Sequence, residues 1–209
     1  MQEHTDEQDI RERLNLISTM IAEGRRTTQS FSWIFILWGV AYFVAIAWST
    51  RGAGWAMWGH NWQAWPVTMI SACALSWVLA MRRFKGGANH PSTTLGRAIS
   101  SIWIAMGMSM FILLFSMGMS GRSDQQVFAA IIAALLGSTN AASGILLRWK
   151  QQFACAIVWW AAAVVSCFGS VAQSTVAFLV ATFLCQIVFG ICGMMLEARV
   201  RKIPGAVHA

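Results

Sequence analysis

ISSIWIAMGMSMFILLFSMGM, residues 99–119, holds no ionisable side chain. A bilayer's hydrocarbon core is about 30 Å thick, and roughly 20 apolar residues of helix cross it. This stretch is long enough, and five more resemble it: Phe31–Trp48, Trp65–Met81, Val127–Leu147, Phe153–Val171 and Thr175–Leu196. All 8 acidic and all 15 basic residues fall outside these six runs. The second run is the shortest and only just spans at about 1.5 Å per residue.

The whole composition agrees. The chain is 57% hydrophobic and 11% charged, against roughly 25% charged in an average soluble domain. The runs are continuously apolar and do not alternate as the strands of a membrane barrel do, so helices are expected. The fold class predicted is all-α, a polytopic six-helix transmembrane bundle preceded by a cytoplasmic amphipathic helix. Residues 1–30 form that helix and its linker, 31–198 the transmembrane domain, and 199–209 a cytoplasmic tail. The first thirty residues are polar and lack a cleavable signal pattern, so span one is expected to act as an uncleaved anchor.

Lysine and arginine set the orientation. One side would carry Arg11, Arg13, Arg25, Arg26, Arg82, Arg83, Lys85, Arg97, Arg148, Lys150, Arg199, Arg201 and Lys202. The other holds only Arg51 and Arg122. Both termini are therefore expected in the cytoplasm. The net charge of +7 follows from this bias and does not point to nucleic acid. The membrane itself is the first partner.

Residues 6–23 read as an amphipathic helix. Thr5 and Gln8 fit a capping box, and Glu7–Arg11 and Asp9–Arg13 are i,i+4 pairs with the acid first. Ile10, Leu14, Ile17 and Ile21 make one apolar stripe, and Gly24 is expected as the C′ residue that ends the helix. The polar face is acid-rich, unlike helices that lie on anionic lipid. The stripe is expected to pack on the protein's own cytoplasmic face, or to contact a second subunit or a cytoplasmic protein. In residues 49–64, Trp55, Trp58, Trp62 and Trp65 recur on one helical face. They read as an interfacial belt that turns into span two at Pro66.

Chemistry is scarce. Intramembrane Asp, Glu, Lys, Arg and His mark proton and ion pathways, and no span contains one. HExxH, Walker A and dinucleotide fingerprints are absent, which disfavours those enzyme classes. The five cysteines, Cys73, Cys155, Cys167, Cys185 and Cys192, lie in spans without a CxxC pair and read as small apolar residues. Met106 and Met110 share a face of span three; thioethers select Cu(I), but flexible packing is the preferred reading. No metal, cofactor or catalytic residue is assigned.

What remains inside is neutral. Asn140 lies about 20 Å and Gln186 about 16 Å from the external ends of their spans at 1.5 Å per residue, and Trp159 and Trp160 fall near the same level. These four are the candidate solute-binding residues, with interhelical hydrogen bonding as the structural alternative. Ala129, Ala133, Gly137, Ala141 and, one step on, Ala130, Ala134, Ser138, Ala142 are small-xxx-small rows. With Ala162, Ser166 and Ser170 they put spans four and five in the bundle interior or at a subunit contact. Ile34–Gly39 and Ile102–Gly107 match loosely, as tandem hairpins would.

The opening pattern, Leu14, then Ile21-Ala-Glu-Gly-Arg-Arg26, then Trp33-Ile-Phe-Ile-Leu-Trp-Gly39, resembles a group of bacterial six-span inner-membrane proteins of uncharacterised activity. The resemblance covers about forty N-terminal residues and implies a bacterial inner membrane. A looser likeness is to the permease subunits of type-2 ABC exporters, which also carry a cytoplasmic helix before span one. Their re-entrant helices have no counterpart in the short connection at Ala172–Ser174. The function expected is a non-enzymatic, partner-binding or regulatory membrane module. The alternative is a transporter or permease-like subunit for a neutral or lipophilic solute.

Overall fold

The computed structural model describes residues 2–30, 32–49, 63–85, 94–120 and 124–201. Among them there is no strand. The helices are α1 (Gln2–Ser30), α2 (Ser32–Ser49), α3 (Ala64–Lys85), α4 (Thr94–Ser120), α5 (Gln125–Leu146), α6 (Lys150–Phe168), α7 (Val171–Thr182) and α8 (Phe189–Arg201), with a π-helical turn, Phe183–Val188, between the last two. Among the described residues six segments are long and apolar enough to cross a membrane: Ser32–Ser49, Ala64–Arg82, Leu95–Met117, Gln125–Leu146, Lys150–Phe168 and Val171–Arg199. The last joins α7, the π-turn and α8 into one span.

α5 is the centre of the bundle. In its apolar window 61% of residues are buried, against 11% in α4 at the periphery. The reason is its small residues. Ala129, Ala133, Gly137 and Ala141 are all buried on one row. The neighbouring row is not: Ala134 and Ala142 are half-buried and Ser138 is exposed. α6 lies antiparallel to α5, with the Trp160 indole over Gly137 and the Phe153 backbone against Gly144. A Cβ on Gly144 would sit 2.8 Å from the Phe153 nitrogen. Backbone approach this close needs a residue without a side chain.

α2 packs on the last span in the same way. Gly39 lies against Gln186 and Ile187, Gly190 against Ile36, and Gly193 against Ser32. Gly107, which the loose internal match pairs with Gly39, has nothing within 4 Å. The two segments therefore do different jobs. An aromatic core joins these layers: Tyr42 meets Trp65 and Phe178, and Phe178 meets Trp159. Met110 belongs to this core; its sulfur accepts from the Tyr42 hydroxyl at 3.7 Å.

α1 does not stop at Gly24. It runs on to Ser30. Gly24 is buried beside Leu147 and Leu95, where a Cβ would come within 2.9 and 3.0 Å of their methyl carbons. The glycine serves close packing, and the helix carries its propensity cost of about 1 kcal/mol. One residue on, Arg25 reaches the end of α5. Its Nε donates to the Leu147 carbonyl at 2.5 Å and its Nη2 to the Arg148 carbonyl. The Trp149 N–H donates to the Gly144 carbonyl and the Arg148 N–H to that of Ile145. This is a Schellman turn, with Arg148 at φ 49° where glycine is usual.

At the opposite end, the Asp124 carboxylate caps α5, accepting from the N–H groups of Gln126 and Val127. The α6–α7 connection lies at Gly169–Ser170, three residues before the expected place. Ser170 and Gln173 close a capping box there, which starts the last span earlier than its apolar run suggests. α1 packs on α8 and α4 and touches the α5–α6 turn, so this is called the α1 end.

Candidate functional site

Helix register brings a set of polar side chains to one layer. Gly137–Trp160 and Gly144–Phe153 contacts put Asn140 opposite Ile157 and Ser143 opposite Ala154. On the other side of α6, the Ser174 hydroxyl donates to that of Ser166 at 2.9 Å, and the Cys185 thiol to the Cys155 carbonyl at 3.5 Å. That register puts Gln186 at the height of Ala154. Gln152 and Trp159 lie on the buried face of α6 itself, with Cys155, Ala156, Ala162 and Ser166. From Gln152 to Trp159 is about 10 Å along the helix. The layer begins one turn inside the α1 end and extends towards the middle of the bundle.

Asn140, Ser143, Gln152, Trp159 and Gln186 are each at most 3% exposed. Several of their polar atoms find no hydrogen-bond partner on the protein: Asn140 Oδ1, Ser143 Oγ, both ends of the Gln152 amide, Trp159 Nε1 and Gln186 Oε1. Asn140 Nδ2 is satisfied; it donates to the Leu136 carbonyl at 2.8 Å. A buried polar atom left unpaired costs about 1–3 kcal/mol, so a cluster of them is not what packing alone would select. Gln186 also sits in the π-turn, a feature frequent at functional sites.

Three of the four solute-binding candidates, Asn140, Gln186 and Trp159, fall in this layer. Trp160 does not: it is 39% exposed and covers Gly137 from outside. Sequence reasoning missed Gln152 and Ser143 as members. Lys150-Gln151-Gln152 reads as a wet helix start, and only the spacing 152, 155, 156, 159 marks the buried side. A shallow groove of about 420 Å³ between α6 and α7, lined by Val165, Ala172, Gln173, Val176 and Ala177, is apolar and involves none of these residues.

The second candidate surface is α1. Ile10, Leu14 and Ile17 are 57%, 59% and 54% exposed, and Ile21 is half-buried. Leu16 beside them is also exposed. Asp9 and Arg13 pair at 3.0 Å on the exposed helix. α1 meets the bundle at Gly24 and Arg25, and the described residues leave Ile10, Leu14 and Ile17 exposed. Trp65, read as part of the interfacial belt, is 2% exposed and packs edge-on to Phe128. It is a core residue because α3 starts at Ala64 and one side of its first turn, Ala64, Trp65 and Thr68, is buried in the bundle. Trp55, Trp58, Trp62 and most of the loop between Arg82 and Ala98 lie outside the described residues.

Six helices of this length and apolarity define an all-helical, multi-pass integral membrane protein. No family model, curated protein sequence or solved structure matches the chain.

Proposed function

We propose that this is a bacterial inner-membrane protein with both termini in the cytoplasm, and that it acts without catalysis by docking a protein partner on α1. The observation that supports this is the apolar stripe Ile10, Leu14, Ile17, more than half exposed on a helix whose later turns are anchored. Asp9, Glu12 and the acidic residues before them disfavour an anionic lipid surface as its cover. They favour a cytoplasmic protein with an apolar groove and a basic rim, the helix-in-groove mode. Two copies of the same stripe would bring acidic flanks together.

The test is crosslinking and co-purification in mild detergent, with the mass of the complex measured. Partner capture is expected to be lost with Ile17→Asp or Leu14→Asp and retained with Thr19→Asp on the opposite face. A monomer without a partner, or capture unchanged by Ile17→Asp, sinks the reading. A second reading, binding or passage of a neutral solute, is favoured by the unpaired amide oxygens of Asn140, Gln152 and Gln186. Asn140→Ala and Gln186→Leu would then abolish uptake or export while leaving the fold intact.

A further inference from the structure

The buried layer has a definite chemical bias. Its unpaired atoms include three amide oxygens, Asn140 Oδ1, Gln152 Oε1 and Gln186 Oε1, and the Ser143 hydroxyl, which also accepts. The fixed donors among them are only Gln152 Nε2 and Trp159 Nε1. Acceptors outnumber donors, so the complementary molecule donates hydrogen bonds. No Asp, Glu, Lys, Arg or His lies in the layer or elsewhere in the apolar runs, and an uncompensated charge in such a site is costly. The complementary molecule is therefore neutral.

The surroundings are built rather than accidental. Gly39 lets α2 press on the Cβ of Gln186 and on the side chain of Ile187. The π-turn then carries Cys185 and Gln186 as consecutive buried residues. A π-turn admits one extra residue to the helix without breaking it, and here the buried pair includes an unpaired amide oxygen, Gln186 Oε1. At the other end, Gln152 is two residues from the exposed Lys150, so the layer approaches solvent at the α1 end.

We propose that Gln152, Ser143, Asn140, Gln186 and Trp159 form a binding site for a small neutral molecule that donates O–H or N–H hydrogen bonds, entered from the α1 end. Water and a small polar solute such as a primary amide share this chemistry. The site is independent of docking on α1, and it gives the solute-binding reading its location and ligand class.

Hydroxyl-radical footprinting of the full chain in lipid nanodiscs tests it, because radicals formed from bound water label the side chains beside it. Trp159 and Trp65 are equally enclosed, at 0% and 2% exposure. Trp159 is expected to be oxidised several-fold more than Trp65, and the excess is expected to vanish in Asn140→Leu/Gln152→Met. Ser143→Ala, a smaller change, serves if that double variant does not fold; it should reduce the excess. Acetamide titrated into the sample distinguishes the occupants. Saturable protection of Trp159 identifies a polar solute, and undiminished labelling identifies water. Trp159 labelled no more than Trp65, or labelled equally in the variants, overturns the site. Labelling that persists alongside unaltered uptake in Asn140→Ala retains the site and removes only solute passage.

Discussion

The Arg25 guanidinium donates to the backbone carbonyl of Leu147, across 122 residues of sequence. With its second bond, to the Arg148 carbonyl, it ties α1 to the turn that joins the two most closely packed helices. Hydrogen bonds from a charged donor are worth about 1.5–3 kcal/mol before discounting for partial exposure. Arg25→Ala should therefore lower stability by roughly 1–2 kcal/mol in detergent unfolding. Arg25→Lys should recover only part of this, since an ammonium cannot fork to two carbonyls as the planar group does. No change in either variant would show that the contact is incidental.

Arg148 makes its contribution through its backbone. A non-glycine residue at φ 49° costs about 1 kcal/mol or more. Arg148→Gly should raise stability by up to about 1 kcal/mol. The gain should survive in the Arg25→Ala background, because Arg25 binds carbonyls and not the Arg148 side chain. A destabilised Arg148→Gly would show that the side chain matters.

Two glycines of α5 should respond differently to alanine. At Gly137 the obstacle is the Trp160 ring, which a Cβ would strike. That ring is half-exposed and has room to turn. At Gly144 the obstacle is the Phe153 backbone, which has none. Overpacking costs about 1–3 kcal/mol, so Gly144→Ala should fall at the upper end and Gly137→Ala at the lower. Adding Trp160→Ala should rescue Gly137→Ala but not Gly144→Ala. The reverse order in thermal unfolding would contradict the packing described here.

Ile17→Asp should separate folding from docking. The residue is exposed in the free chain, and surface substitutions usually stay within about 0.5 kcal/mol. Unfolding should be unchanged while partner capture is lost. A large loss of stability would mean that the stripe is covered by the chain itself.

Hydropathy made the six spans legible because lipid tolerates only apolar helices, and that constraint acts residue by residue. The stripe on α1 was equally plain from spacing. The errors were tertiary. Gly24 looks like a helix stop in isolation, and only the neighbouring Leu147 and Leu95 reveal that it is a contact point. Trp65 looks interfacial until Phe128 is seen against it. Trp159 and Trp160 are adjacent in sequence, yet about 100° of helical rotation puts one in the core and the other on the surface. Gln152 joined the buried layer without a signal of its own, and the π-turn has no pattern in the apolar run that contains it.

The proposed topology is a six-span bundle with both chain ends on the cytoplasmic side. It is tested most directly by labelling single cysteines, in a chain whose own 5 cysteines are replaced by alanine, with a membrane-impermeant maleimide on right-side-out vesicles. Arg122→Cys should label at once, whereas Glu12→Cys and Ala206→Cys should label only after the membrane is opened. Labelling of either terminal position from outside, or protection of Arg122→Cys, would contradict it.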